Sequence, residues 1–292
     1  MGRDGADLMK IVFFGTPDYV LPILTSLHKK FVSGPGVSPI AAVVTQSPKP
    51  TGRKQILTYS PVDKWAHEHK IDIFYQSSEL IKNSVKADIG VLAAYGEIIP
   101  KIVIDTFPHG ILVVHPSLLP KYRGASPIQG AIANGDKQVG VTIIKMDEKM
   151  DHGPIVSQFK EETKPDDTTD TLRARLFERS KDVIVEMIEP YLQGKIKPKE
   201  QNHDEATYTK IITKQDGFIE AESFTSEAAK AERFIRAMQP WPQAWTLIGK
   251  KRLKILKAHL ESGKLILDEV QLEGKSPVSW EEFKRGYPDA NL

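Results

Sequence analysis

Short runs of β-branched and apolar residues alternate with helix-spaced segments through the first two thirds of the chain, and this rhythm restricts the fold more than any other feature. Residues 11–14, 40–44, 89–93, 111–115 and 139–145 read as strands, several of them apolar throughout, as strands covered on both faces must be. Helical spacing is expected over 19–30, 61–69, 127–134 and 168–191. The last places Leu172, Leu176, Val183, Met187 and Tyr191 on one stripe, with Asp166, Asp167 and Asp170 near the positive end of its dipole. An α/β fold with βαβ units around a parallel-rich sheet follows.

The rhythm stops at residues 194–202, GKIKPKEQN, which are polar, contain Pro and lack periodicity, so the stretch reads as a linker. Beyond it a helix over 226–238 precedes short strands at 244–248, 253–258 and 265–270, which predicts a small β-rich domain. The expected division is a tail at 1–8, a first domain over 9–193, a linker over 194–205 and a second domain over 206–292.

Composition narrows the chemistry. A chain of 292 residues with 40% hydrophobic content can bury a large core, yet no apolar run is long enough to cross a bilayer. The first residues lack the apolar stretch of a secretory signal, and Ala6 stands where a myristoylation signal wants Ser or Thr, so a cytoplasmic protein without a membrane anchor is expected. The absence of cysteine excludes disulfides, thiolate nucleophiles and Cys-ligated metals. A net charge of +2 does not mark the whole chain as a polyanion binder, but Lys250, Lys251, Arg252, Lys254 and Lys257 crowd one short segment, with Lys230, Arg233 and Arg236 upstream. A solvated face and a phosphate-binding face both fit that pattern.

Three places could carry chemistry. Gly15-Thr16-Pro17 ends the first strand but has neither the glycines of a dinucleotide fingerprint nor a P-loop Lys, so it reads as a tight βα turn. Residues 110–129, GILVVHPSLLPKYRGASPIQ, end an apolar strand at His115, where open α/β sheets bind ligands, and follow it with a loop shaped by prolines and Gly124. Asp151 follows the strand at 139–145, beside Gly153, which permits close backbone approach or positive φ. Asp151 and His115 brought to one edge of a sheet would make an acid, a base and an orienter, whereas apart they would be a core histidine and an ordinary turn.

These segments together resemble the methionyl-tRNA formyltransferase family over nearly the whole chain. The resemblance is carried by VFFGTPD at 12–18, Thr45-Gln46 through Pro50-Thr51-Gly52-Arg53, AAYG at 93–96 with Ile99-Pro100, HPSLLPKYRGASPIQGAIANGD from His115, GVTIIKMDEKMDHGPI from Gly140, ATYTK at 206–210 and IRAMQPWP at 235–242. It implies a Rossmann-like formyltransferase domain joined to a C-terminal domain resembling an OB-like barrel. It implies 10-formyltetrahydrofolate as formyl donor and initiator methionyl-tRNA as acceptor, with no metal and a monomeric chain. Its catalytic positions fall on His115 and Asp151. Tyr95, Gly96, Ile98, Ile99, Pro100, Ser117, Leu118, Leu119 and Pro120 fall on the folate pocket, and Arg53 on the loop that approaches the tRNA acceptor end. With such an acceptor, Lys54 beside it and the basic residues Lys250, Lys251, Arg252 and Lys254 are expected to bind tRNA as well.

Two departures stand out. The family pattern Gly-x-x-Asn-x-His, set in register by Gly110 and His115, puts Val113 where the family has its catalytic Asn. Residues two apart on a strand share a face, so methyl groups stand where an amide donor is expected. This implies reduced activity and leaves open a non-catalytic folate- and tRNA-binding homologue or a formyltransferase for a small amine such as an amino sugar nucleotide. The chain also ends soon after Lys257, which predicts an abbreviated C-terminal barrel.

Overall fold

The computed structural model describes residues 9–292 except 33, 35, 36, 53, 289 and 291. The chain packs as two compact units, one from Met1–Lys121, Gly140–Phe159 and Ala174–Ala206, the other from Tyr122–Val139, Lys160–Arg173 and Thr207–Leu292. The second unit therefore draws on two segments well ahead of residue 206, where the sequence places the second domain's start.

Up to the long helix the elements are β1 (Ile11–Gly15), α1 (Leu21–Phe31), β2 (Ile40–Val44), β3 (Lys49–Thr51), β4 (Ile56–Thr58), α2 (Pro61–Glu68), β5 (Asp72–Phe74), α3 (Glu79–Lys82), β6 (Ile89–Ala93), α4 (Lys101–Ile104), β7 (Ile111–His115), β8 (Arg123–Gly124), α5 (Pro127–Asn134), β9 (Gln138–Lys145), β10 (Ile155–Glu162) and α6 (Thr169–Leu192). A seven-stranded sheet has the order β10-β9-β7-β6-β1-β2-β5. Pairing is parallel from β7 through β6, β1 and β2 to β5, whereas β7 and β9 run antiparallel. The apolar strands are buried as expected: every residue of β1 and of β7 is buried. Phe14 stands edge-on to Tyr95 and Phe107, with centroids 5.8 and 6.0 Å away, in a core with Val12, Val44 and Ile111.

The helices obey local rules. α2 starts at Pro61 with Ser60 as its cap, whose hydroxyl accepts from the amide of Asp63 at 3.0 Å. On α6 the buried stripe runs through Leu172, Leu176, Ile184, Met187, Ile188 and Tyr191, so Ile184 takes the place expected of Val183, which is only half-buried. Asp167, just ahead of α6, accepts from the amide of Lys164 at 2.7 Å and the hydroxyl of Thr171 at 3.2 Å.

The remaining elements are β11 (Tyr208–Thr209), α7 (Ser223–Ser226), α8 (Ala228–Ala237), β12 (Ala244–Ile248), β13 (Lys251–Glu261), β14 (Lys264–Leu272), β15 (Val278–Ser279) and α9 (Trp280–Gly286). β12 to β15 form a four-stranded antiparallel sheet whose buried face, with Leu253, Ile255, Val270 and Leu272, shares a core with Phe224, Ile235 and Phe283. The single helix expected at 226–238 is broken at Glu227, whose φ of −132° and ψ of 42° are not helical. β8 pairs in parallel with β11, matching Arg123 to Tyr208 and Gly124 to Thr209. Among the described residues no helix is long and apolar enough to cross a membrane.

Candidate active site

β7 carries the site because its apolar run ends on a histidine. His115 is 5% exposed, and its Nδ1 lies 3.5 Å from Oδ2 of Asp151. The two meet although β7 and β9 run in opposite directions. Because β9 runs against β7, His115 pairs with Thr142 while the carboxyl end of β9, Lys145, lies opposite Leu112. Asp151 reaches His115 through a loop that turns back after Lys145. Lys145 N donates to the Pro154 carbonyl at 3.0 Å, and a β-carbon at Gly153 would stand 1.9 Å from the Lys145 carbonyl oxygen, so only glycine allows this approach. Asp151 itself adopts a left-handed φ of 50°.

Thr142 organises the next loop. Its hydroxyl donates to the Ser117 carbonyl at 2.6 Å and accepts from the Leu119 amide at 3.0 Å and from Gln158 Nε2 at 2.8 Å. Gln158 also donates to the Leu119 carbonyl at 3.1 Å, and the Ser117 hydroxyl donates to the Lys121 carbonyl at 2.6 Å. Ser117 and Leu119 are thereby buried, while Leu118 and Pro120 are half-buried. Leu119 meets Val113 and Ile144 in a small apolar cluster, packed around by Leu92, Met146 and Ile155.

The turns after β1, β2 and β6 are stitched to one another. The Tyr95 carbonyl accepts from the Thr16 hydroxyl at 3.2 Å and from Gln46 Nε2 at 3.3 Å. Gly96, with φ 86°, leaves room for Gln46, whose amide nitrogen would lie 2.7 Å from a β-carbon there. Tyr95 and Ile99 are buried in the core around Phe14, Gly96 and Pro100 flank them in the chain, and Ile98 is 86% exposed. Leu92 and Met146 pack against both this core and the Val113 cluster, so the two loops share one apolar floor. Burial, with the nearby Glu97 carboxylate, pushes the Tyr95 hydroxyl well above its ordinary range. That hydroxyl, which donates to Glu97 Oε2 at 3.2 Å, stays protonated at physiological pH.

Sequence reasoning overlooked Thr142, Gln158 and Gln201. Thr142 lies inside an apolar strand and Gln158 in β10, which has no strand signal; Gln201 lies in the stretch read as a linker, yet it is buried and bound to the Asp151 loop. Beside Asp151, His152 Nδ1 stands 2.6 Å from Asp147 Oδ2 and its ring stacks on His203. Among the described residues no cluster of three or more His, Asp or Glu is placed to hold a metal ion.

The basic residues lie elsewhere. Arg53 lies outside the described residues, and Lys54 is exposed between β3 and β4. In the second unit Lys250, Lys251 and Arg252 are exposed where β12 turns into β13, with the Arg252 guanidinium 4.4 Å over the Trp245 ring. Lys254 is half-buried and donates to Gln243 Oε1 at 2.7 Å.

Residues 9–188 match the formyl transferase family and residues 211–265 match the formyl transferase C-terminal domain. The methionyl-tRNA formyltransferase of Roseiflexus sp. (strain RS-1) is 35% identical, across 95% of this chain and 92% of the relative. The chain belongs to the methionyl-tRNA formyltransferase family. Among solved structures, the methionyl-tRNA formyltransferase from Clostridium thermocellum superposes with a TM-score of 0.61 at 22% identity, covering 91% of this chain and 99% of that one. The N-formyltransferase from Helicobacter canadensis, solved with folinic acid and dTDP-3-aminofucose, gives a TM-score of 0.66 at 20% identity over 87% and 88% of the two chains. Both share the fold.

Proposed function

We propose that this chain transfers the formyl group of 10-formyltetrahydrofolate to the amino group of methionyl-tRNA, with His115 and Asp151 at the reacting atoms. The observation that carries the reading is the 3.5 Å approach of His115 Nδ1 to the Asp151 carboxylate in a nearly dry site. In the transfer, the amine nitrogen bonds to the formyl carbon, the bond from that carbon to N10 of the folate breaks, and the proton shed by the amine ends on N10. Negative charge grows on the formyl oxygen, and an imidazole N–H placed there stabilises it. Asp151 orients the imidazole and accepts the amine proton, directly or through a water, before it moves to the leaving nitrogen.

The loops fit a folate, whose flat ring needs apolar walls and a few backbone groups. Tyr95, Ile99 and Leu119 supply the apolar side, with Gly96, Ile98, Pro100, Ser117, Leu118 and Pro120 completing the two loops. Lys54, Lys250, Lys251, Arg252 and Lys254, together with Arg53, meet the phosphates of the tRNA. The reaction belongs in the cytoplasm, and the chain acts as a monomer, which sedimentation of the purified protein checks.

Mass spectrometry of methionyl-tRNA incubated with the protein and 10-formyltetrahydrofolate tests the proposal. Formyl-methionine is the expected product, and its absence at high enzyme concentration would overturn the reading. Product formed equally well by His115→Ala would keep the activity and remove the proposed site.

A further inference from the structure

Residues 199–203 lie along the loop that carries Asp151 and are attached to it at alternate positions. Ile155 N donates to the Lys199 carbonyl at 2.7 Å, and Lys199 N returns a bond to the Ile155 carbonyl at 2.8 Å. Two residues on, the buried Gln201 turns its side-chain amide onto the loop, with Nε2 donating to the Asp151 carbonyl at 2.9 Å and to the Gly153 carbonyl at 2.8 Å. Two residues further, the His203 ring stacks on His152 at 3.9 Å, with the planes 5° apart.

Gln201 thus uses both protons of one amide on two carbonyls that flank a single residue. One nitrogen can reach both only while residues 151–153 stay tightly turned. Asp151 needs such help, because its φ of 50° is a conformation that a residue with a β-carbon adopts at a cost. On the other side the loop is jammed against Lys145, where a β-carbon on Gly153 would clash with the carbonyl oxygen. Close packing on one side and a bidentate amide on the other leave the turn one shape, the kind of support a reacting side chain requires.

We propose that Gln201 is a positioning residue for the transfer: it holds the left-handed turn that aims the Asp151 carboxylate at His115. The inference rests on the reading of His115 and Asp151 as the reacting pair. Its signature is an effect on kcat that passes through Asp151 and leaves substrate binding alone.

The test is a double-mutant cycle on the full chain, assayed with 10-formyltetrahydrofolate and methionyl-tRNA. Gln201→Leu, similar in size but without donors, should lower kcat by about 100-fold, the scale of a 1 Å misplacement, with both KM values little changed. In an Asp151→Asn background the same change should cost almost nothing more, because the carboxylate it aims is gone. Losses that multiply independently, or a Gln201→Leu enzyme with the parent's kcat, would overturn the proposal. If Gln201→Leu loses its fold by circular dichroism, Gln201→Glu keeps the shape while replacing the donor and takes its place in the cycle. Asp151→Asn and His115→Ala alone separate the two levels: full activity in both removes the reacting pair itself, whereas inactivity in both with an unaffected Gln201 variant removes only the role of Gln201.

Discussion

Val113 and Leu119 share one apolar cluster with Ile144, on the strand face that two residues later presents His115. The loop expected to wall the folate pocket is therefore anchored on the side chain at the position where the resemblance leads one to expect Asn. A valine on that face offers methyl groups and no hydrogen-bond donor.

Val113→Asn is expected to raise turnover by about 100- to 1000-fold, the usual worth of one oxyanion donor. The amide enters a cluster of Leu119, Ile144, Leu92, Met146 and Ile155, so in the ligand-free protein it should cost about 1 to 3 kcal/mol of stability. Formylation kinetics and denaturant unfolding measure the two effects together. A loss of stability without any gain in rate would show that position 113 does not face the reacting oxygen.

Neutralising Lys250, Lys251 and Arg252 together should weaken tRNA binding and flatten its dependence on salt by about 2 to 3 in log–log slope. All three are exposed at the β12–β13 turn. Filter-binding titrations at several salt concentrations give the slope, and an unchanged slope would make this turn a solvated face only.

Asp216 ties together the chain just ahead of α7. Its carboxylate accepts from the Lys210 ammonium, from the Thr213 amide at 2.8 Å and from the Thr213 hydroxyl at 2.6 Å. These donors, Lys210 first, lower its pKa from 3.8 to about 2. A folded-state value below the unfolded one stabilises fully above the unfolded value, and that contribution fades as the pH falls towards 2. Asp216→Asn should therefore be less stable than the parent at neutral pH, with the gap narrowing through the acid range. A gap that stays constant with pH would exclude the linkage.

Gly124 has φ 106°, and a β-carbon there would lie 2.3 Å from the Thr209 carbonyl oxygen. Gly124→Ala should cost about 1 to 3 kcal/mol and loosen the β8–β11 pairing. Hydrogen exchange at the Arg123 amide, which donates to the Thr207 carbonyl at 2.8 Å, reads that pairing directly. Undiminished protection in the variant would mean that the backbone shifts without strain.

The apolar parallel strands were legible in the sequence because burial on both faces leaves unbroken hydrophobic runs: 40–44, 89–93 and 111–115 coincide with β2, β6 and β7. β10 was missed for the complementary reason. Its later residues alternate between half-buried and exposed, and Lys160, Glu161 and Glu162 break any apolar run. His115 and Asp151 were each readable as candidates, but their proximity depends on the antiparallel placing of β9 and on a return loop, neither of which has a local signal. Gln201 was invisible because a polar residue in an aperiodic stretch looks the same whether it faces water or two buried carbonyls.

On the ribosome, where the N-terminal part of a domain folds first, the strap of residues 199–203 imposes an order. The seven strands of the large sheet, the last of them β10, can emerge and pair while Asp151 still lacks its amide clamp, and β8, outside that sheet, waits for Tyr208 and Thr209 to supply its neighbour. The nascent chain thus holds a largely built sheet with an unfinished site. The last groups to secure that site arrive in the stretch of chain that composition alone marks as a mere connector.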